Sequence, residues 1–196
     1  MNAQDRMMQK KWGIFNHYLY YSERNVTTIT EMAEEWNEQV ASFDTDKLAE
    51  TLHELGCGYY IITVMQGTRF MLAPNKAFSD ITGIAPGEAC AKRDLIMDIA
   101  LSLKKYDSDL FLYYTGDGPH FDKIAGPAMG LYEDYFAGIH GKVDKNFVEN
   151  WATVLEEYAV RYGDLVKGWW VDGCYKTLGY NNELLSIYYN AMKKGN

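Results

Sequence analysis

Four short apolar runs, each closed by polar or glycine positions, punctuate the chain: KWGIFN (11–16), YYIITV (59–64), DLFLYY (109–114) and KGWWV (167–171). They are rich in aromatic and β-branched residues and too short for helices, which predicts buried strands. Between and after them the apolar period lengthens to three and four. DTDKLAETLHELG (44–56) opens with Asp44 or Thr45 as a cap, spaces Leu48, Leu52 and Leu55 along one face and stops at Gly56. RDLIMDIALSLKKY (93–106) repeats the design with Leu95, Ile96, Ile99, Ala100 and Leu103 on one side. NFVENWATVLEEYAVRYG (146–163) and NNELLSIYYNAMKKGN (181–196) predict two more helices, each with a glycine at or near its end.

Strand followed by helix, four times over, predicts an α/β fold with a parallel sheet and helical crossovers. A doubly wound open sheet is the other arrangement the alternation allows. Two long connections, 66–92 and 115–145, hold all four prolines, and both follow a strand. Loops at the carboxyl ends of strands are where α/β folds place their sites.

Composition narrows the function classes. A hydrophobic content of 47% over 196 residues suits one globular domain spanning 1–196. The formal charge of −8, with basic residues scattered along the chain, argues against a phosphate-binding surface, so no nucleic-acid partner is expected. The amino-terminal stretch lacks the pattern of a signal peptide, and no apolar run approaches the ~18 residues of a membrane span, so a soluble, cytoplasmic protein without a membrane partner is expected. Cys57, Cys90 and Cys174 are far apart with no CxxC spacing, which predicts reduced thiols and no structural zinc. TGDGPH (115–120) carries two glycines after a strand but neither GxGxxG nor GK[ST], so no nucleotide cofactor is expected, nor any other. The 16 tyrosines and 5 tryptophans suit stacking on sugar faces as well as ordinary packing.

The strand ends carry a resemblance. KWGIFNHYLY (11–20) resembles the KFGIFIHWG stretch that opens the catalytic barrel of α-L-fucosidases, the retaining glycoside hydrolases of family 29. FDTDKLAETLHELGCGYYIITV (43–64) is similar to that family's first helix and second strand, RDLIMDIALSLKK with LFLYYT (93–105, 110–115) to its next helix and strand, and GWWVDG (168–173) to its nucleophile strand, WFDG. The resemblance runs over nearly the whole chain. It implies a TIM-type (β/α)8 barrel of which about the first four strands are present, since such barrels typically take roughly 250 residues. The chain is thus expected to be the amino-terminal half of a glycoside-hydrolase-like barrel, with a carbohydrate substrate. Its open sheet edges raise the further expectation of a homo-oligomer.

Position by position, the resemblance places His17 on a sugar-contacting histidine, Tyr114 on or beside the tyrosine of the third strand, and Trp170 on the aromatic two residues before the nucleophile. Asp172 falls on the nucleophile itself. The family's second strand ends TAKHHDGF, with two sugar-binding histidines, where this chain reads TVMQGTRF (63–70). Gln66 and Gly67 occupy those positions, which implies altered sugar specificity.

Each residue also has a packing alternative: His17 as a hydrogen-bonded strand-end residue, Trp170 and Tyr114 as core, Asp172 before Gly173 as an ordinary turn. A retaining glycosidase needs a second carboxyl group ~5–5.5 Å from the nucleophile. In the family it lies beyond the fourth strand; Asp117 and Glu133 are loop carboxylates here, and neither is assigned. Three readings follow: a fucosidase-like glycoside hydrolase fragment, expected to be inactive as this chain alone, an inactive relative that keeps a sugar-binding cleft, or an unrelated α/β protein.

Overall fold

The structure, a computed structural model, describes residues 1–131 and 143–195. Four strands, β1 (Gly13–Asn16), β2 (Tyr59–Thr63), β3 (Asp109–Thr115) and β4 (Val166–Asp172), pair in parallel in the order of the sequence. Helix α1 (Ala3–Lys10) precedes β1, while α2 (Ile29–Ser42) and α3 (Thr45–Glu54) join β1 to β2. Between β2 and β3 lie α4 (Lys76–Thr82) and α5 (Leu95–Lys104), between β3 and β4 lie α6 (Ala125–Met129) and α7 (Lys145–Tyr162), and α8 (Asn182–Lys193) follows β4. A sequential order has no point at which strands reverse, which rules out the doubly wound alternative. Among the described residues no helix is long and apolar enough to cross a membrane.

Capping explains where the crossover helices begin. Asp44, Asp94, Asp144 and Asn181 each accept the backbone N–H three residues on, satisfying a donor that the first helical turn leaves free. Helix α2 stands in a stretch whose pattern predicts no element. Its Thr28–Glu31 capping box fixes the start, and its inner face carries Ala33, Trp36 and Val40 together with the buried Glu35. That carboxylate accepts the Tyr20 hydroxyl (2.9 Å) and the N–H groups of Glu23 and Arg24, so a charge interrupts an otherwise apolar stripe. Helix α4 likewise forms inside what the proline pattern marks as loop, capped by Asn75 and ended by Gly83 in the left-handed region.

The strands alternate between two faces. Tyr60, Ile62, Leu110, Leu112, Tyr114 and Val166 turn outward into the main core beneath the helices. Ile61, Phe111 and Tyr113 turn the other way, forming a smaller cluster that Ala3, Met7 and Tyr59 complete. Helix α1 therefore lies across the inner face at the amino ends of the strands, tied by Arg6 to Asp109 (2.6 Å). Gly168 permits this approach, because a Cβ there would sit 2.6 Å from that of Ala3.

A register shift between Leu110 and Leu112 puts one extra residue into β4, after which Tyr113 pairs with Trp170 and Thr115 with Asp172. That pairing brings the carboxyl ends of β3 and β4 level.

Candidate functional site

The inner face at the carboxyl ends of the strands is lined by one row of side chains. His17 follows β1, Thr63 ends β2, Tyr113 lies near the end of β3, and Trp170 and Asp172 finish β4. The His17 Nδ1 lies 2.7 Å from the Thr63 hydroxyl, which fixes the imidazole, and the ring packs 4.8 Å from Phe15 and 5.1 Å from Tyr113. Phe15 in turn faces Tyr113 at 5.5 Å and Trp170 at 6.0 Å. Phe15 and Trp170 are 40% and 49% exposed, so this aromatic floor presents open ring surface rather than a closed core.

Asp172 stands at the edge of the floor with both carboxylate oxygens engaged. Oδ2 accepts the Tyr113 hydroxyl at 3.0 Å; Oδ1 accepts the Gly173 N–H at 2.7 Å and the Tyr175 hydroxyl at 3.2 Å. Burial, followed by the hydrogen bond to Asp172, pushes the Tyr113 phenol well above its usual range, which keeps it a donor. The charge of Asp172 raises the Tyr175 phenol in the same direction. Gly173 is glycine for two reasons: its φ of +76°, and the Asp117 Oδ1, which a Cβ would meet at 2.8 Å. The segment beyond is anchored where the buried Tyr188 hydroxyl reaches the Gly116 carbonyl at 2.8 Å. Cys174, half-buried here, has its thiol pushed up to about 12 by burial and by the charges of Asp117 and Asp172, so it stays protonated and unreactive.

Gln66 joins the row by donating from Nε2 to the Tyr113 hydroxyl at 3.4 Å. Gly67 faces away from a role of its own: its φ is +72°, and a Cβ there would lie 2.4 Å from the Phe121 ring and 3.4 Å from the His120 Nε2. The Phe121 N–H donates to the Gly67 carbonyl at 2.7 Å, so the loop after β3 fills the space beside β2 that a larger side chain would need. His120 sits with Nδ1 3.2 Å from the Asp117 Oδ2, and Asp117 also accepts the Thr115 hydroxyl. An imidazole is thus present beside the end of β2, supplied from the following loop.

The structure brings His17, Gln66, Trp170 and Asp172 together but not Tyr114. That ring is fully buried on the outer face, stacked 4.7 Å from Trp151, with its hydroxyl donating to the Trp151 carbonyl at 2.8 Å. Tyr113 takes the inward place, because the alternation that aims Asp172 at the cleft aims residue 113 there and residue 114 away. Tyr113, Tyr175, Phe15 and His120 are the members that pattern reading leaves out. Glu133, one of the two loop carboxylates, lies outside the described residues. Among the described residues no group of three or more His, Cys, Asp or Glu side chains is arranged to hold a metal ion.

No protein-family model matches the chain, and no curated protein matches it. Solved structures do. An α-L-fucosidase of glycoside hydrolase family 29 from Bacteroides thetaiotaomicron shares 18% identity and superposes with a TM-score of 0.66 over 98% of this chain and 46% of its own. The α-L-fucosidase AlfC from Lactobacillus casei, in complex with α-L-fucose product, matches at 16% identity and TM-score 0.61, over 98% of this chain and 67% of its own. An endo-fucoidan hydrolase of glycoside hydrolase family 107 matches at 16% identity and TM-score 0.62, over 95% and 49%. The chain spans about half the length of the first of these and shares its fold: a four-stranded parallel α/β sheet corresponding to part of a (β/α)8 barrel.

Proposed function

We propose that the inner face binds a sugar and that Asp172 is the nucleophile of a retaining glycoside hydrolase of the α-L-fucosidase kind. The observation that carries this reading is the Asp172 carboxylate itself, held at the end of β4 by Tyr113, Tyr175 and the Gly173 N–H beside the open rings of Phe15 and Trp170. Attack on an anomeric carbon needs an ionised carboxylate fixed within about 3–3.5 Å of it. Three donors on one carboxylate hold its plane. The aromatic floor offers the apolar face a pyranose ring stacks on, and His17 and Gln66 offer polar groups to its hydroxyls.

Retention also requires an acid for the leaving group. Asp117 is a poor fit for that role, because Thr115 and His120 hold it in the loop. The test therefore uses a substrate that needs no acid. Incubation with 2-deoxy-2-fluoro-fucosyl fluoride, and with its L-galactosyl counterpart, should place one fluoro-sugar on Asp172, read by intact mass and peptide mapping; Asp172→Asn should remain unlabelled. Label on another residue, or none on the wild type, overturns the assignment.

A second reading is a cleft that binds sugar without cleaving it. It is favoured by Gln66 and Gly67 standing where the resembling family has two imidazoles, with Phe121 over Gly67. Saturable sugar binding by calorimetry with no covalent label would select it.

A further inference from the structure

The two oxygens of Asp172 are not equivalent. A carboxylate oxygen has two lone-pair directions. On Oδ1 both are taken, by the Gly173 N–H at 2.7 Å and the Tyr175 hydroxyl at 3.2 Å. Among the described residues Oδ2 receives one donor, the hydroxyl of Tyr113 at 3.0 Å, whose ring packs against Phe15 and His17, and this leaves its second pair without a donor. Tyr175 is built for little else. Its ring is 58% exposed and adds little to the core, while its carbonyl accepts the Leu178 N–H at 3.0 Å in the turn that follows it.

Resting on the function proposed above, we infer that Oδ2 is the attacking atom of Asp172, and that Tyr175 is a positioning residue that stabilises the carboxylate through Oδ1. In the first half-reaction an Oδ2 lone pair bonds to the anomeric carbon, the bond from that carbon to the leaving group breaks, and the electron pair departs with that group. In the second, water attacks the anomeric carbon and gives up its proton to solvent. The carbon–Oδ2 bond breaks, and its electron pair returns to the carboxylate, where it is shared with Oδ1. Charge reappears on Oδ1 only in this second half, so the Tyr175 hydroxyl acts chiefly there.

Removing the hydroxyl then has a directional effect. Tyr175→Phe should label with 2-deoxy-2-fluoro-fucosyl fluoride no more slowly than the wild type, and the ester on Asp172, followed by intact mass after excess probe is removed, should persist about tenfold longer, the loss expected for one hydrogen bond to a charged group. A residue that merely braced the turn would slow labelling and leave the ester lifetime alone. Because Tyr175 is exposed, the variant should fold normally. A second readout needs no turnover: with tyrosine ring-labelled protein, the Tyr175 phenol should titrate above the ordinary range in the wild type and fall back in Asp172→Asn. An ester that forms but is hydrolysed at the wild-type rate in Tyr175→Phe, or a Tyr175 titration indifferent to Asp172→Asn, overturns this inference and leaves the proposed function standing. Absence of label on the wild type removes both.

Discussion

Tyr113 and Tyr114 are adjacent and chemically identical, yet the sheet sends one to the cleft and the other to the core, which makes their phenylalanine variants a sharp test of the architecture. Tyr114→Phe keeps the ring on Trp151 and deletes only the hydroxyl that donates to the Trp151 carbonyl at 2.8 Å. That carbonyl lies within α7 and also accepts the N–H one turn on, so it is not stranded without a partner. The cost should therefore be that of one net hydrogen bond, about 1 kcal/mol, rather than the ~3 kcal/mol of a fully orphaned buried acceptor. For a chain of this size that corresponds to roughly 2–4 °C in Tm. Urea unfolding followed by tryptophan fluorescence measures the stability, and the fluoro-sugar reaction measures the cleft. Tyr114→Phe should lose the 1 kcal/mol and label at the wild-type rate. Tyr113→Phe should keep nearly full stability, because water can replace the phenol on a partly exposed Asp172, but should label about tenfold more slowly as the attacking oxygen loses its guide. The assignment of faces fails if Tyr114→Phe labels slowly while its unfolding curve overlays that of the wild type.

Other outcomes follow from the same contacts. Arg69 and Asp122 form a bidentate pair at 2.6 and 2.8 Å with both side chains nearly inaccessible, so Arg69→Met, which strands the carboxylate, should cost about 3–5 kcal/mol by urea unfolding; a loss under ~1 kcal/mol would refute the burial. Burial alone would raise the Asp122 carboxyl, but Arg69 and the N–H groups of Ala125 and Ile124 outweigh it and hold the group below its usual range. A depressed folded-state value means its stabilisation is complete above the unfolded carboxyl's pKa and is lost as pH falls through the folded one. Between pH 5 and 3 the wild type should accordingly lose more stability than Asp122→Asn. Gly168→Val should push α1 off the inner face, seen as faster hydrogen exchange across Ala3–Lys10; unchanged protection would contradict the close approach to Ala3. Among the described residues β1 and β4 pair on one side only, and we propose that the isolated chain self-associates through these edges; sedimentation giving a monomer at high concentration would count against it.

Periodicity alone determined the strands almost to the residue and the sequence of crossovers. Short β-branched and aromatic runs are buried most readily as strands of a sheet covered by helices, and capped three-four patterns as the helices lying over them. The place of Asp172 at a strand end was legible for a related reason, since a carboxylate followed by glycine closes the apolar run of β4, while its role as nucleophile came only from the family resemblance. Helix α2 was not legible, because Glu35 on its inner face reads as solvent-facing until Tyr20 and the Glu23 and Arg24 amides come back across the fold to satisfy it. The choice between Tyr113 and Tyr114 was hidden for a different cause. Within a YY pair either phase of the alternation is equally apolar; the unbroken register with β2 sets Tyr113 beside Thr63, and the extra residue in β4 between the partners of Leu110 and Leu112 then puts Asp172 on the same face. Tyr175 and His120 arrive from loops, and loop side chains have no period to read. Local sequence specifies which segments are strands and helices because that depends on neighbours in the chain; that the Tyr113 hydroxyl reaches Asp172, and which imidazole stands beside β2, depend on residues roughly fifty to sixty positions apart and are decided only when the sheet closes its register.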